Sequence, residues 1–176
     1  MKQKILLHIC CGVCASRTIE KLQSEFDIIG YFYNPNIEPP AEYQQRLNAT
    51  KIIASYFNLP LVIGPYDSQL WHQAILGLEH WAEGGRRCWR CFQMRLENTA
   101  EQAKNQAINY FATTLTASPH KNANDINGIG QKIAKQFGLN FIATEYRPED
   151  RFKPSIARKL GIYHQNYCGC IYSAKI

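Results

Sequence analysis

His8-Ile9-Cys10-Cys11-Gly12-Val13-Cys14 is the stretch of sequence that decides the predicted fold. The apolar residues 5–7 before it predict a short buried strand, and the segment from about Ala15 to Phe26 predicts a helix. The three thiols therefore lie in the turn between the first strand and the first helix. In an open α/β sheet that turn lies at the carboxyl edge, where such folds bind their ligands. A helix N-terminus lowers the pKa of nearby thiols, so the turn favours thiolate chemistry over three inert, buried cysteines.

Segments typical of strands and helices alternate along the rest of the chain. Further strands are expected at 28–33, 61–63, 108–115 and 139–143. Further helices are expected at 42–56, from Ser68 to about Glu83, from Arg86 to about Gln106, at 125–136 and near 155–160. This alternation is typical of a parallel α/β sheet, and a length of 176 residues suits one domain, residues 1–176.

Composition limits the classes of function. The chain carries 20 Lys and Arg against 14 Asp and Glu, a net charge of +6, which mildly indicates a polyanionic partner. We find no signal peptide and no apolar run near the roughly 18 residues of a membrane helix, so we expect a cytoplasmic protein without a membrane partner. In a reducing compartment, seven cysteines predict metal binding or redox catalysis rather than a disulfide scaffold.

Cys88-Trp89-Arg90-Cys91 places two thiols on one side of a helix start. Such a motif is typical of a zinc site, an iron–sulfur site or a redox-active dithiol. Together with Cys10 and Cys11 it would supply four thiolates, enough for zinc or for a 4Fe-4S cluster. Adjacent cysteines are easier to place around a larger cluster than around one tetrahedral ion, which favours iron–sulfur. The arginines near the motif would offset cluster charge, bind phosphates or form a solvated helix face: Arg86, Arg87, Arg90 and Arg95.

Cys168-Gly169-Cys170 brings two further thiols close in sequence, and the glycine between them permits the bend that a disulfide needs. Such a short-loop disulfide is strained and easily reduced, so the pair suits a dithiol that carries two electrons. The alternative is that both cysteines are additional metal ligands. Cys14 lies four residues after Cys10 and is either a ligand to a second metal or a spare thiol.

Polar side chains are expected at the same edge of the sheet as the cysteines. Asp67 follows the third strand and is an oxygen ligand, a proton donor or a helix cap. His8, within the first strand, is expected to be a hydrogen-bonded core histidine. The residues expected to outline a polar cleft follow the second and fourth strands: Asn34, Asn36, Tyr43 and Arg46, then Ser118, His120 and Lys121.

Five motifs stand in a fixed order over nearly the whole chain. They are the cysteine stretch at 7–14, Tyr31-Phe32-Tyr33-Asn34-Pro35-Asn36-Ile37, Arg87-Cys88-Trp89-Arg90-Cys91-Phe92, Ser118-Pro119-His120-Lys121 and Tyr167-Cys168-Gly169-Cys170-Ile171-Tyr172-Ser173. In this combination the chain resembles the QueH family of cobalamin-independent epoxyqueuosine reductases. It departs from the family at Gly12-Val13, where other members commonly carry Ala-Pro.

The resemblance implies a Rossmann-like, three-layer α/β/α fold similar to that of the adenine nucleotide alpha hydrolases. Cysteines replace the Gly-rich phosphate loop of the nucleotide-binding members of that group, so no use of ATP is expected. The implied activity is reduction of epoxyqueuosine to queuosine at the wobble position of tRNA anticodons, the last step of queuosine biosynthesis. The expected partners are tRNA carrying epoxyqueuosine in the anticodon loop and an unidentified electron donor.

The resemblance also implies cofactors and roles for the cysteines. No cobalamin is expected. The family allows a mononuclear iron next to its cluster, for which Cys14 would be a natural ligand. Candidates for protonating the epoxide oxygen as it leaves are Asp67, His120 or a tyrosine. The resemblance places a 4Fe-4S cluster on Cys10, Cys11, Cys88 and Cys91, and a redox-active pair at Cys168 and Cys170.

Two other classes of function compete with this hypothesis. The first is a zinc-stabilised tRNA-binding or base-modifying protein without redox activity, whose metal site would be colourless. The second is a thioredoxin-like dithiol reductase without a metal, which would leave the polar block between Asn34 and Arg46 without a role.

Overall fold

A parallel sheet forms the centre of the part of the chain that the structure, a computed structural model, describes: residues 2–146 and 155–173. Its strands are β1 (Gln3–Ile9), β2 (Phe26–Phe32), β3 (Leu61–Ile63), β4 (Tyr110–Thr113) and β5 (Asn140–Phe141). The helices are α1 (Gly12–Leu22), α2 (Pro40–Tyr56), α3 (Ser68–Ala74), α4 (Arg86–Asn105), α5 (Ala123–Phe137) and α6 (Ile156–Lys159), with a 3₁₀ turn at Leu115–Ala117. The strand order β3-β2-β1-β4-β5 is Rossmann-like and confirms the predicted α/β class.

Strand β1 is the central strand and pairs in parallel with β2 on one side and β4 on the other. Its side chains alternate between two cores. Ile5 and Leu7 pack with residues of α1 and α2, whereas Leu6 packs with residues of α4 and α5. Both faces of β1 are therefore buried, as its continuous apolar run predicts, and the fold has the expected three layers.

The crevice for a ligand lies where the strand order reverses. Chain connections from β1 run to one side of the sheet and those after β4 to the other, which leaves a gap at the carboxyl ends of these two strands. Cys10 follows β1 at this point and Thr114 follows β4. His8, inside β1, is a core histidine as predicted, with Nδ1 2.8 Å from Thr113 Oγ1 and Nε2 3.1 Å from the Tyr33 carbonyl oxygen.

Helices α1 and α3 differ most from their predicted bounds, whereas the bounds of α2, α5 and α6 differ by one or two residues. Helix α1 begins at Gly12 instead of Ala15, because Cys11 is the N-cap and its Sγ accepts a hydrogen bond from the Cys14 amide. The predicted helix from Ser68 to about Glu83 is wrong, since α3 already ends at Ala74. Gly77 has a left-handed φ of 79°, which ends regular helical geometry there.

The first and second helices pack at very close range. A Cβ on Gly12 would lie 2.7 Å from the Ala49 carbonyl oxygen, so only glycine fits where α1 crosses α2. None of the helices in the described ranges is both long and apolar enough to span a membrane.

Candidate functional site

A cavity of about 380 Å³ opens at the carboxyl ends of β1 and β4. It brings together residues that are more than 150 positions apart in sequence, because its wall combines the β1–α1 turn with the C-terminal segment. Its lining includes four thiols and three cationic side chains: Cys10, Cys11, Cys14 and Cys168, with Arg46, Arg95 and Lys121.

The thiols of the β1–α1 turn form one compact group. The Sγ atoms of Cys10, Cys11 and Cys14 all lie within 4.8 Å of one another, and all three residues are buried. Thr114 fixes the first of them: its Oγ1 accepts from the Cys10 amide at 3.0 Å and donates to Cys10 Sγ at 3.3 Å. A hydroxyl at the end of β4 thus holds a sulfur at the end of β1.

The three thiols of the β1–α1 turn differ in acidity. Hydrogen bonds from Cys11 and Cys14 hold the pKa of Cys10 well below its usual range. The hydrogen bond to Cys10 raises the pKa of Cys11 to about 12, and hydrogen bonds with both neighbours raise that of Cys14. The group therefore favours one thiolate that two thiols stabilise, and a metal would replace the remaining protons.

Arg46 holds the C-terminal cysteine loop against α2. Its Nη1 donates to the Cys168 carbonyl at 2.8 Å and its Nη2 to the Tyr167 carbonyl at 3.3 Å, while Nε pairs with Glu42 at 2.6 Å. Gly169 has a φ of 104°, and a Cβ there would lie 2.8 Å from the Arg46 guanidinium. The glycine between the two cysteines is needed both for the turn and for this close approach.

Cys168 and Cys170 differ strongly in acidity. A hydrogen bond from Cys170 lowers the pKa of Cys168 well below its usual value, and the charges of Lys121 and Arg95 add to this effect. The same hydrogen bond raises the pKa of Cys170, whose Sγ also lies 3.4 Å from Ser173 Oγ. One member of the pair is therefore a thiolate and the other retains its proton.

The CxxC cysteines lie in the first two turns of α4. Cys88 Sγ accepts a hydrogen bond from the Gly84 amide at 3.3 Å, and the residue lines a narrow cavity of about 20 Å³ together with Cys168 and Lys121. Cys91 is buried in a small core with Trp71 and Cys170. Burial is the main cause that raises the pKa of both CxxC thiols.

The sequence predicts one shared ligand set, Cys10, Cys11, Cys88 and Cys91. Cys10 and Cys88 contribute to the same hydrophobic core, on the α4 side of the sheet. The CxxC thiols lie outside the compact group, because within the described residues the only three thiols that approach within 4.8 Å are those of the β1–α1 turn. Cys168 lies between the two sets, since it lines both cavities.

Two cations face the thiols, the buried Arg95 and the half-buried Lys121, and neither has a carboxylate partner in the described part of the chain. Arg95 is 2% exposed, and one of its terminal nitrogens donates to Asn34 Oδ1, while Asn34 Nδ2 donates to the Ile9 carbonyl at 2.9 Å. Lys121 Nζ lies 3.4 Å from Ser118 Oγ. Burial acts to lower the pKa of Lys121, but the negative charges of Cys168, Cys10 and Cys14 outweigh this effect, so the pKa is raised. Among the described residues, neither cation forms a salt bridge.

Other predicted site residues occupy different places. Asn36 is fully buried, and both polar atoms of its amide lack a hydrogen-bond partner in the described part of the chain. Tyr43, on the buried side of α2, stacks on Tyr66 with ring centroids 4.0 Å apart. Asp67 is exposed and caps α3, where its Oδ1 accepts from the Gln69 amide at 3.0 Å. The geometry favours a capping role for Asp67 over the predicted catalytic role, whereas His120 and Ser118 line the cavity.

Sequence reasoning missed three residues of the site. Thr114 follows a strand without any motif, and its contact with Cys10 depends on the β1–β4 register. Gln165 lines the cavity with a buried Oε1 that has no hydrogen-bond partner among the described residues. Trp71 belongs to no motif, yet it packs in one small core with Cys91 and Cys170.

The donor set fits a metal that prefers sulfur. Thiolates are the ligands of zinc and of iron–sulfur clusters, and both require deprotonated cysteines in a site shielded from water. The compact thiol group is buried, and a bound metal would displace its two remaining protons. The charges of Arg95 and Lys121, which form no salt bridge within the described residues, can balance an anionic thiolate–metal centre. The buried cysteines can thus bind a metal.

Comparison with known proteins identifies the family. A family model described as "Epoxyqueuosine reductase QueH" matches residues 5–176. Relatives named Epoxyqueuosine reductase QueH include one from Thermotoga maritima, 37% identical over 96% of this chain and 89% of the relative. Another, from Haemophilus influenzae, is 37% identical over 98% and 72%, and one from Streptococcus pyogenes serotype M1 is 35% identical over 100% and 72%.

The fold also resembles that of a solved structure. The predicted subunit of a tRNA methyltransferase from Methanocaldococcus jannaschii superposes with a TM-score of 0.55 at 13% identity, over 90% of this chain and 73% of that one. At this identity the similarity concerns the fold alone. The family match, by contrast, extends over almost the whole chain and includes every cysteine motif. The chain therefore belongs to the QueH family of epoxyqueuosine reductases.

Proposed function

We propose that this protein reduces epoxyqueuosine to queuosine at the wobble position of tRNA anticodons. The observation that carries the proposal is the cavity itself, where the thiols of the β1–α1 turn and Cys168 of the CxC motif face three cationic side chains. Membership of the QueH family supports the same reaction and disfavours a zinc-stabilised protein without redox activity.

We propose Cys10, Cys11, Cys88 and Cys91 as the ligands of a 4Fe-4S cluster, and Cys14 as a ligand of an adjacent iron. When bound, such a cluster supplies one-electron transfer and Lewis acidity. The supporting observations are the burial of all five cysteines and the two uncompensated cations, Arg95 and Lys121, on the same cavity wall. A neutral cavity would leave the buried charge of Arg95 without compensation, which is energetically costly.

The Cys168/Cys170 pair would supply the electrons for the net reaction. Conversion of an epoxide to an alkene consumes two electrons and two protons and releases one water. Oxidation of a thiolate at Cys168 and a thiol at Cys170 to a disulfide releases two electrons and one proton, so the balance closes when solvent supplies the second proton. Cys168 holds the thiolate and Cys170 the proton, which suits a pair that reacts through one sulfur. An electron donor would then restore the dithiol.

The remaining cavity residues would bind and orient the substrate. Lys121 keeps its proton, and with Ser118 and His120 it lies on the loop after β4, where these residues can donate hydrogen bonds to polar groups of the modified base. The main role of Arg46 would be to hold the Cys168 loop in place rather than to bind the base. The base must leave its stack to enter such a cavity, as bases in single-stranded loops do.

The test measures conversion of an anticodon stem-loop RNA that carries epoxyqueuosine, with the nucleosides analysed by mass spectrometry. Cys168→Ser should abolish turnover while iron content stays at the wild-type level, whereas Cys88→Ala should abolish both. Lys51→Glu, on the exposed side of α2, is the matched control and should react as the wild type does. Turnover in either cysteine variant would refute the role proposed for that cysteine.

A further inference from the structure

A second surface feature lies on the outer side of α4, away from the buried cysteines. Here α4 and α5 form a groove of about 430 Å³. Helix α4 directs Cys88 and Cys91 into the protein, and the residues between and beside them line the groove. The lining from α4 is Arg86, Trp89, Arg90 and Gln93, and α5 adds Ile129, Lys132, Ile133 and Gln136.

The groove combines positive charge with an exposed aromatic ring. The indole of Trp89 is 48% exposed, and its Nε1 donates to Asp125 Oδ2 at 3.2 Å. Arg90 pairs with Glu97 at 3.5 Å, and Arg86 stacks over the Trp81 ring at 4.8 Å. Arg86 and Lys132 have no salt bridge among the described residues. Two cations on opposite helices thus flank one indole, an arrangement that suits a phosphate backbone with a stacked base.

The groove adjoins the narrow cavity of the cysteine site through the hydrogen bond between Trp89 and Asp125. Asp125, which holds the Trp89 indole, also lines the narrow cavity that contains Cys88 and Cys168. A molecule whose reactive group enters the cysteine cavity would therefore have its neighbouring units close to α4 and α5. Single-stranded nucleic acid has such units, each with a phosphate and a π-face.

We propose that this groove binds the RNA strand that adjoins the modified nucleotide, with Trp89 stacking on a base and Arg86 and Lys132 binding phosphates. The proposal rests on the proposed function, since it assigns the groove to the RNA that delivers the modified base. An acidic protein surface would use the cations but leaves the exposed indole without a role, whereas RNA uses both.

The test measures binding without turnover. A fluorescein-labelled anticodon stem-loop RNA with an unmodified wobble guanosine is titrated with the intact protein, and fluorescence anisotropy gives Kd at several salt concentrations. Trp89→Ala should raise Kd by about tenfold or more, and Trp89→Phe should retain most of the affinity. Lys132→Glu should weaken binding and lower the slope of log Kd against log salt by about one.

Lys51→Glu on α2 is the matched control, because it makes the same charge change on the opposite face of the sheet and should leave Kd unchanged. Thermal melts confirm that each variant is folded. Wild-type Kd and salt slope in both Trp89→Ala and Lys132→Glu would overturn the proposal. Unchanged RNA binding together with weaker binding of an acidic electron-transfer protein would assign the groove to that partner instead. If epoxyqueuosine RNA is not reduced by the wild type but groove variants still lose RNA affinity, the reductase proposal fails and the groove assignment stands.

Discussion

Replacing Arg46 with methionine is expected to release the C-terminal cysteine loop from α2. The side chain is 3% exposed, pairs with Glu42, and donates to the carbonyl oxygens of Tyr167 and Cys168. Methionine keeps much of the apolar volume but removes every donor. The carboxylate of Glu42 then stays buried and loses its cationic partner, although the Tyr163 hydroxyl still donates to it at 2.7 Å.

The magnitude follows from these contacts. A hydrogen bond from a charged group contributes about 1.5–3 kcal/mol. Breaking a buried ion pair by removal of one partner costs about 3–5 kcal/mol. These costs overlap because they share one guanidinium, so we expect a total of about 3–5 kcal/mol. Local opening of the loop should become at least about a hundredfold more frequent.

The assay is native-state hydrogen exchange combined with the alkylation rate of Cys168. The Glu38 amide donates to the Gly169 carbonyl at 2.9 Å, so its exchange reports directly whether the loop is docked. In Arg46→Met both rates should rise together. Adding Glu42→Gln should restore part of the protection, because the uncompensated buried charge is then absent.

Arg90→Met is the control, since it breaks a half-exposed ion pair of 3.5 Å and should cost no more than about 1 kcal/mol. If Arg46→Met exchanges at Glu38 and reacts at Cys168 as slowly as the wild type, the arginine does not hold the loop. The proposed anchoring of the redox pair would then be wrong.

Further predictions concern packing and pH. Gly12→Ala should destabilise the fold by about 1–3 kcal/mol in urea unfolding, because the new Cβ meets backbone atoms of α2. Gly128→Ala, whose Cβ meets nothing within 4 Å in helix α5, should instead stabilise by about 0.5–1 kcal/mol, and equal effects of the two changes would contradict the packing argument. Burial raises the pKa of Tyr31 to about 12. The folded state therefore keeps a proton that the unfolded state loses from about pH 10. Between pH 10 and 12 the free energy of unfolding should fall by up to about 1.4 kcal/mol per pH unit. Tyr31→Phe should remove the contribution of Tyr31 to this pH dependence, whereas the contributions of Tyr146 and Tyr163 remain. An unchanged pH dependence would show that Tyr31 ionises normally.

Much of the fold follows from the sequence because parallel strands between helices carry a strong hydrophobic pattern. The strand at Leu61–Ile63 has the predicted bounds, and the cysteine turn lies at the predicted edge of the sheet. The start of α1 was misplaced because a cysteine is an unusual N-cap, and no propensity indicates Cys11 in that role. The end of α3 was misplaced because apolar residues at helical spacing, Trp71, Ile75 and Leu78, continue past Ala74, whereas the left-handed backbone at Gly77 ends helical geometry.

The site was less predictable, since its contacts join distant parts of the chain. The spacing of Glu42 and Arg46 predicts an ion pair on a helix, but nothing in it indicates the contact with the Cys168 carbonyl. The hydrogen bond between Thr114 and Cys10 depends on strand register, which the sequence does not specify. Asp67 follows a strand as an active-site carboxylate would, yet the same position suits a helix cap.

The central claim is that the buried cysteines hold an iron–sulfur centre that serves a reductase. Its most direct test is the iron and acid-labile sulfide content of protein purified without oxygen, measured with the visible spectrum. We expect about four iron and four sulfide per chain with broad absorption in the blue, and extra iron beyond sulfide if an adjacent iron is bound. Cys88→Ala should lose the absorption. Zinc without iron or sulfide in the anaerobic wild-type protein would contradict the account.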